Sequence, residues 1–218
     1  MKQFIVIGAG RFGTAVANTL IDAGCEVLVI DSDVELVQKL SETIENVAIV
    51  DATDKVALNS IGLGNFDVAI IAIGTDLKAS IMATLLAKEE GVPVVISKAA
   101  DTLQAAVLQK IGADKVVFPE SDMGKKLGKR MAYWNILDYM ELDAEHSIFN
   151  IMVPQKWIGK NAKTINIRKK YRVAVVGKIS EGNVFHIPID PEIPFEKNDI
   201  LIVAGKNEHI EFILSMEQ

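Results

Sequence analysis

The feature that most constrains this chain is Gly8-Ala9-Gly10-Arg11-Phe12-Gly13, which follows the apolar run 4–7 and opens a stretch with helical spacing of apolar residues. Glycines at this spacing between a strand and a helix have a mechanical meaning. Gly8 permits a tight turn, Gly10 lets a phosphate approach the backbone, and Gly13 lets helix and sheet pack closely. The helix N-terminus then presents its unpaired N–H groups to an anion. Asp31 ends the second apolar run, where a carboxylate takes both hydroxyls of a ribose and repels a 2′-phosphate. NAD-like or adenosine ligands are therefore expected over NADP.

The same rhythm recurs as far as residue 120. Apolar runs at 4–7, 27–30, 47–50, 68–73, 94–96 and 116–118 alternate with helical stretches that begin near Arg11, Asp33, Asp54, Asp76 and Asp101. Aspartates at those starts cap exposed N–H groups, and Gly24, Gly62, Gly91 and Gly112 stand where helices should stop. Six strands separated by helices predict an α/β fold, a Rossmann-like doubly wound parallel sheet. An amphipathic stretch at 121–134 leads out of the sheet. Beyond Asp138 the pattern changes to strands at 148–153, 173–179 and 200–203, a hairpin turn at Gly182-Asn183 and a final short helix. This predicts a second, smaller α+β domain, with the division at 1–136 and 137–218.

Charge and cysteine content narrow the partners. Lys plus Arg number 23 against 29 Asp plus Glu, a net charge of -6, which is the wrong sign for neutralising nucleic-acid phosphates. The single cysteine, Cys25, forms no internal disulfide and belongs to no zinc or CxxC pattern, so a reducing cytoplasm is expected. No apolar run approaches the roughly 18 residues of a membrane span, and the N-terminus lacks a signal-peptide pattern. Direct membrane insertion is not expected, and any membrane role requires a partner.

The loops after later strands carry Asp51-Ala52-Thr53, Ile73-Gly74-Thr75-Asp76 and Ser97-Lys98-Ala99, all at the carboxyl edge where doubly wound sheets bind ligands. Each alone reads equally well as a helix cap or a turn. Together with the first loop they outline a pocket for base, ribose and phosphates, with Glu120 close by. Arg11 lies inside the phosphate loop, where a guanidinium contacts a further phosphate bidentately, or simply lies on the surface at a helix start. His146, His186 and His209 all fall in the second unit, outside any triad or metal spacing. Residues 124–129 have the flavour of a Walker loop but lack its spacing and its Ser or Thr, so they read as a basic helix face. A nucleotide site without catalytic groups points to sensing, not to an enzyme.

Several of these motifs, taken together, resemble a known family. The first loop, Asp31, Asp51-Ala52-Thr53, Ala72-Ile73-Gly74, Lys110-Ile111-Gly112-Ala113-Asp114, Pro119-Glu120-Ser121-Asp122-Met123-Gly124 and Ile167-Arg168-Lys169-Lys170-Tyr171 are similar to the cytosolic RCK (KTN) regulatory subunits of Ktr-type potassium uptake systems. The resemblance implies a TrkA-N unit followed by a TrkA-C-like unit. It further implies a homodimer that assembles into an octameric ring, peripheral at the inner face of the membrane beneath an integral potassium-translocating subunit. ATP or ADP would exchange at the first site to switch that ring.

Carried over by position, Arg11 meets the terminal phosphate and Asp31 the ribose. Gly8, Gly10, Phe12, Gly13, Ser32, Asp33, Asp51, Ala52, Thr53, Ile73, Gly74, Thr75, Lys98 and Ala99 surround the rest of the nucleotide. Glu120 sits near the phosphates and a cation such as Mg, Ca or Na. Gln104 stands where relatives carry a His towards the nucleotide. In the second unit the resemblance implies cyclic di-AMP at a dimer interface near Ile167 and Arg168, with His186 and Pro188 on the same surface. Ala162-Lys163 depart there from two apolar residues of the family pattern, and an ordinary dimer interface is the plain alternative. The rival for the first site is NAD(H), in a redox sensor or a small oxidoreductase.

Overall fold

A computed structural model describes residues 2–132 and 136–216. It divides into two compact units, Met1–Asp122 and Met123–Gln218. The first is built from β1 (Gln3–Ile7), α1 (Arg11–Asp22), β2 (Glu26–Asp31), α2 (Val34–Ser41), β3 (Val47–Ile49), α3 (Lys55–Ser60), β4 (Val68–Ile71), α4 (Leu77–Glu89), β5 (Val94–Lys98), α5 (Thr102–Lys110) and β6 (Lys115–Val117). All six strands are parallel, in the order β3-β2-β1-β4-β5-β6. This is the doubly wound arrangement, and the chain reverses direction across the sheet between β1 and β4.

Alternation along the strands explains why both faces are covered. Ile5, Ile7, Ile30, Ala69 and Ile71 face one way and pack with Leu58 of α3 and Ala83, Leu86 and Ala87 of α4. Val6, Val27, Val29, Val68 and Ile70 face the other way, against Ala17 of α1 and Leu40 of α2. A parallel sheet with two apolar faces needs helices on both. The expected caps are present: Asp33, Asp54, Asp76 and Asp101 each accept from backbone N–H groups in the first turns of α2, α3, α4 and α5. Gly24, Gly62, Gly91 and Gly112 all have positive φ just past helix ends, as anticipated.

α6 (Pro119–Ala132) begins in the first unit and continues into the second. The amphipathic stretch expected over 121–134 is helical to Ala132, and Trp134 lies outside the described residues. Two lysines of the Walker-like segment pair with β7 (Ile136–Glu141): Lys126 with Asp138 at 2.9 Å, and Lys129 with Glu141. They are a solvated helix face, not a phosphate loop.

The second unit adds β8 (His146–Met152), α7 (Ala162–Ile165), α8 (Ile167–Tyr171), β9 (Val173–Ser180), β10 (Val184–His186), β11 (Ile200–Lys206) and α9 (Asn207–Ser215). Its five strands run in the order β10-β9-β11-β8-β7, and every pairing is antiparallel. Gly182 and Asn183, both at positive φ, turn β9 into β10. Phe149, Ile151, Leu201 and Val203 join Trp157, Tyr171, Phe195 and the inner face of α9 in one core.

One ion pair is buried in this unit. Lys178 Nζ lies 2.8 Å from Asp199 Oδ2, and Asp199 also accepts from the Ser180 hydroxyl at 2.7 Å and from the Glu196 N–H at 2.9 Å. Burial pushes the Asp199 carboxyl up, but the Glu196 N–H, the Lys178 ammonium and the Ser180 hydroxyl hold it below the usual carboxylate range. A carboxyl whose pKa is depressed by folding contributes stability above its unfolded pKa and loses it as pH falls through the folded value.

Two outcomes follow from these contacts. Asp199→Asn leaves the Lys178 ammonium uncompensated and should cost about 3–5 kcal/mol at neutral pH. It should also flatten part of the acid limb below about pH 4, as read by urea unfolding across pH. In the first unit, a Cβ on Gly13 would meet the Gly8 carbonyl oxygen at 1.9 Å. Gly13→Ala is therefore expected to lower stability by about 1–3 kcal/mol, measured as a reduced urea midpoint.

Candidate nucleotide site

At the reversal point, the loops after β1, β2, β3 and β4 enclose a cavity of about 500 Å³. Gly8 and Gly10 come from the first loop, Asp31, Ser32 and Asp33 from the second, Asp51, Ala52 and Thr53 from the third, and Ile73, Gly74 and Thr75 from the fourth. This is most of the expected set, gathered from four separate places in the chain. Asp76, from the fourth loop, lines it as well, and Leu36, Val50, Lys78 and Ala79 also line it and were not anticipated. A cap aspartate with Leu36 or Ala79 beside it reads in sequence as ordinary helix grammar, which hides the role.

The first loop is shaped by exclusion. Gly8 has φ +112°, and a Cβ there would meet the Ala72 carbonyl carbon at 3.0 Å. Nothing lies within 4 Å of the Cβ position of Gly10, so its backbone is open to an approaching group. Gly10 also begins α1 with no side-chain cap, whereas α2 to α5 each have an aspartate. The N–H groups of the first turn of α1 are thus left for a ligand, with the positive end of the helix dipole behind them.

Asp31 has two duties. Its Oδ2 accepts from the Ala9 N–H at 2.6 Å and its Oδ1 from the Asp33 N–H at 2.9 Å. The carboxylate therefore pins the glycine loop to the end of β2 while keeping lone pairs towards the cavity. Asp51 accepts from the N–H and hydroxyl of Thr53, both at 2.8 Å. Those two bonds, with the nearby Lys78 charge, hold the Asp51 carboxyl below its ordinary range. The Asp51 carboxylate therefore stays ionised at neutral pH, which suits hydroxyl recognition.

A cationic corner lies beside the glycine loop. The Lys98 ammonium, on a half-buried side chain, sits 2.6 Å from Glu120 Oε1 and 5.9 Å from the Phe12 ring centroid. A Cβ on Gly74 would meet the same ammonium at 3.1 Å. Hydrogen bonding from Lys98 is the main cause that lowers the Glu120 pKa, and the Arg11 charge adds to it. Arg11, Lys98, Phe12 and Glu120 thus form one neighbourhood, although none of them lines the cavity itself.

Three of the expected site residues lie outside the cavity lining. Ala99 is buried in a small cluster with Ala105 and Leu108, so it supports the loop from beneath and does not face a ligand. Gln104 is also turned inward: its Oε1 accepts from the Ala100 N–H at 2.9 Å, and its Nε2 points to Ser80 Oγ at 3.4 Å. Glu120 is committed to Lys98, and among the described residues no group of three His, Cys, Asp or Glu side chains is placed to hold a metal ion.

In the second unit His186 and Pro188 line a cavity of about 550 Å³ above Lys178. Ile167 is packed into the core, because α8 is too short to present both faces, and Arg168 is exposed away from that cavity. The four residues expected there do not share one cavity. None of the three histidines lines the first cavity, and neither does Cys25. His146 is engaged by Asp143 at 3.0 Å.

Comparison with known proteins gives a consistent result. Residues 4–119 match the TrkA-N domain. The chain is 39% identical to Ktr system potassium uptake protein C of Bacillus subtilis (strain 168), over 94% of this chain and 92% of that one. It is 35% identical to Ktr system potassium uptake protein A of Vibrio alginolyticus, over 96% and 94%. Among solved structures, the GsuK channel bound to NAD superposes with a TM-score of 0.70 at 16% identity, over 98% of this chain and 39% of that one. The last likeness is one of fold.

The inward role of Gln104 has a direct check. Gln104→Leu removes the acceptor of the Ala100 N–H and should cost about 1–3 kcal/mol in urea unfolding.

Proposed function

Because the chain belongs to the TrkA-N family, among the Ktr system potassium uptake proteins, we propose that it is the nucleotide-sensing regulatory subunit of such a system and not an enzyme. The observation that carries this reading is the uncapped N-terminus of α1 opening, through Gly10, onto a cavity with Asp31 on its far wall. One end suits phosphates and the other suits a ribose, while no histidine, cysteine or tyrosine among the described residues lines the space.

The ligand is ATP or ADP. Asp31 holds the ribose hydroxyls, and the first-turn N–H groups of α1 hold the inner phosphates. Arg11 reaches the terminal phosphate, and Lys98 exchanges part of its contact with Glu120 for the same charge. The base lies against Leu36 and the loop of Asp51 to Thr53. The subunit acts on an integral potassium-translocating partner from the cytoplasmic side; among the described residues no helix is long and apolar enough to cross a membrane. Copies assemble as dimers into an octameric ring whose shape depends on the phosphate tail.

A ligand shifts such an equilibrium only by its difference in affinity between states, and ATP differs from ADP by one charged group. Arg11→Ala should therefore weaken ATP about ten- to a hundredfold and ADP much less, by parallel calorimetric titration of nucleotide-free protein. Equal losses for both would remove Arg11 from this role. Clearly tighter binding of NADH than of either nucleotide would transfer the pocket to a redox reading.

A further inference from the structure

The second unit carries a charge anomaly. From His146 to Ser180 there are eight lysines and arginines and no carboxylate side chain, in a chain whose net charge is -6. One of the eight, Lys178, is buried with Asp199, and another, Lys163, pairs with Glu192 at 2.7 Å. Three others, Lys156, Lys160 and Lys170, converge on a single cavity of about 670 Å³. Among the described residues none of these three has a carboxylate partner, and no acidic residue lines the cavity. Lys170 is instead held 5.1 Å from the ring centroid of Tyr171, which also lines it.

Three exposed ammonium groups around one hollow repel each other, and among the described residues no carboxylate offsets that repulsion. Two aromatic rings line the hollow beside Asn161, Thr164 and Ile165: Trp157 packs on Tyr171 with ring centroids 5.2 Å apart, and among the described residues its buried Nε1–H has no acceptor. A concave surface with convergent cations and aromatic rings differs from the flat basic face that meets a lipid headgroup layer. It matches a compact ligand with several negative charges.

We propose that this hollow is a second anion site, which binds a small polyanion of linked phosphates, whether inorganic or the tail of a phosphorylated metabolite. Lys156, Lys160 and Lys170 supply charge-assisted hydrogen bonds to the phosphate oxygens. Tyr171 holds the Lys170 stem, and Trp157 forms the wall. The site is independent of the nucleotide reading of the first unit, since no residue is shared with it.

The chain has two tryptophans, so Trp134→Phe leaves Trp157 as the sole emitter, placed in the wall of the proposed site. Titration of this full-length variant with inorganic tripolyphosphate at physiological ionic strength should give a saturable change in Trp157 emission. Lys160→Ala and Lys170→Ala should each weaken it about tenfold, whereas Lys163→Ala, whose lysine is already paired, should leave it unchanged. These lysines are exposed, so the variants keep their fold, which thermal unfolding verifies. A titration with ATP separates the sources: equal affinity marks the phosphate chain as the ligand, and tighter ATP binding at the same lysines marks a nucleotide tail. No saturable response, or an equal loss in the Lys163 variant, overturns the proposal. Binding to phosphatidylserine vesicles without a tripolyphosphate response also overturns it and gives the surface to a membrane.

Discussion

Helix α1 meets the turn after the first strand with no space between them. Gly13 faces the carbonyl of Gly8 so closely that no side chain fits, and Gly8 itself lies against the backbone of Ala72 at the end of β4. This contact sets the position of the helix N-terminus over the reversal point of the sheet. Asp31 then fastens the loop by accepting the Ala9 N–H, so the position of the glycine loop depends on a residue at the end of β2. The two are mechanically one object, because the same carboxylate also accepts from the Asp33 N–H at the start of α2.

The charges near the cavity fall into two groups. Carboxylates of Asp31 and Asp51 line it with Lys78, whose charge acts on Asp51, while Arg11 and Lys98 act on Glu120 outside the lining. Lys98 is the more constrained cation. It is largely covered, it lies near the Phe12 ring, and its charge is met by Glu120 in the first turn of α6. A carboxylate in that turn also complements the helix dipole, so Glu120 has a structural reason to be where it is. The pair gives the site a cation that an incoming phosphate can share.

The second unit uses charge differently. Its buried pair, Lys178 with Asp199, joins β9 to the turn before β11, and the surrounding hydrogen bonds leave Asp199 fully satisfied. Among the described residues, exposed Lys156, Lys160 and Lys170 have no carboxylate partner and gather around Trp157 and Tyr171. One arrangement fixes the sheet, and the other leaves positive charge available at a surface.

Much of the first unit was legible in the sequence because its signals are local. A run such as Phe4 to Ile7 followed by glycines, an aspartate before each helix and a glycine after it are each decided within a few residues. The same is true of Gly10 and Asp31, whose roles follow from strand–turn–helix geometry alone. β7 was not legible, since Asp138 and Glu141 interrupt its apolar pattern and pair with Lys126 and Lys129 of α6. Gln104 read as a ligand contact until the fold placed Ser80 and the Ala100 N–H around it. Ile167 likewise belonged to a motif, yet burial in the second core removed it from the surface. The sequence by itself therefore determined the doubly wound sheet and its glycine loop, because short-range sterics and hydrogen bonding specify them. Which side chains face the ligand, which are spent on packing, and which lysines gather around one hollow were decided only by the tertiary structure, because those outcomes depend on contacts between residues far apart in the chain.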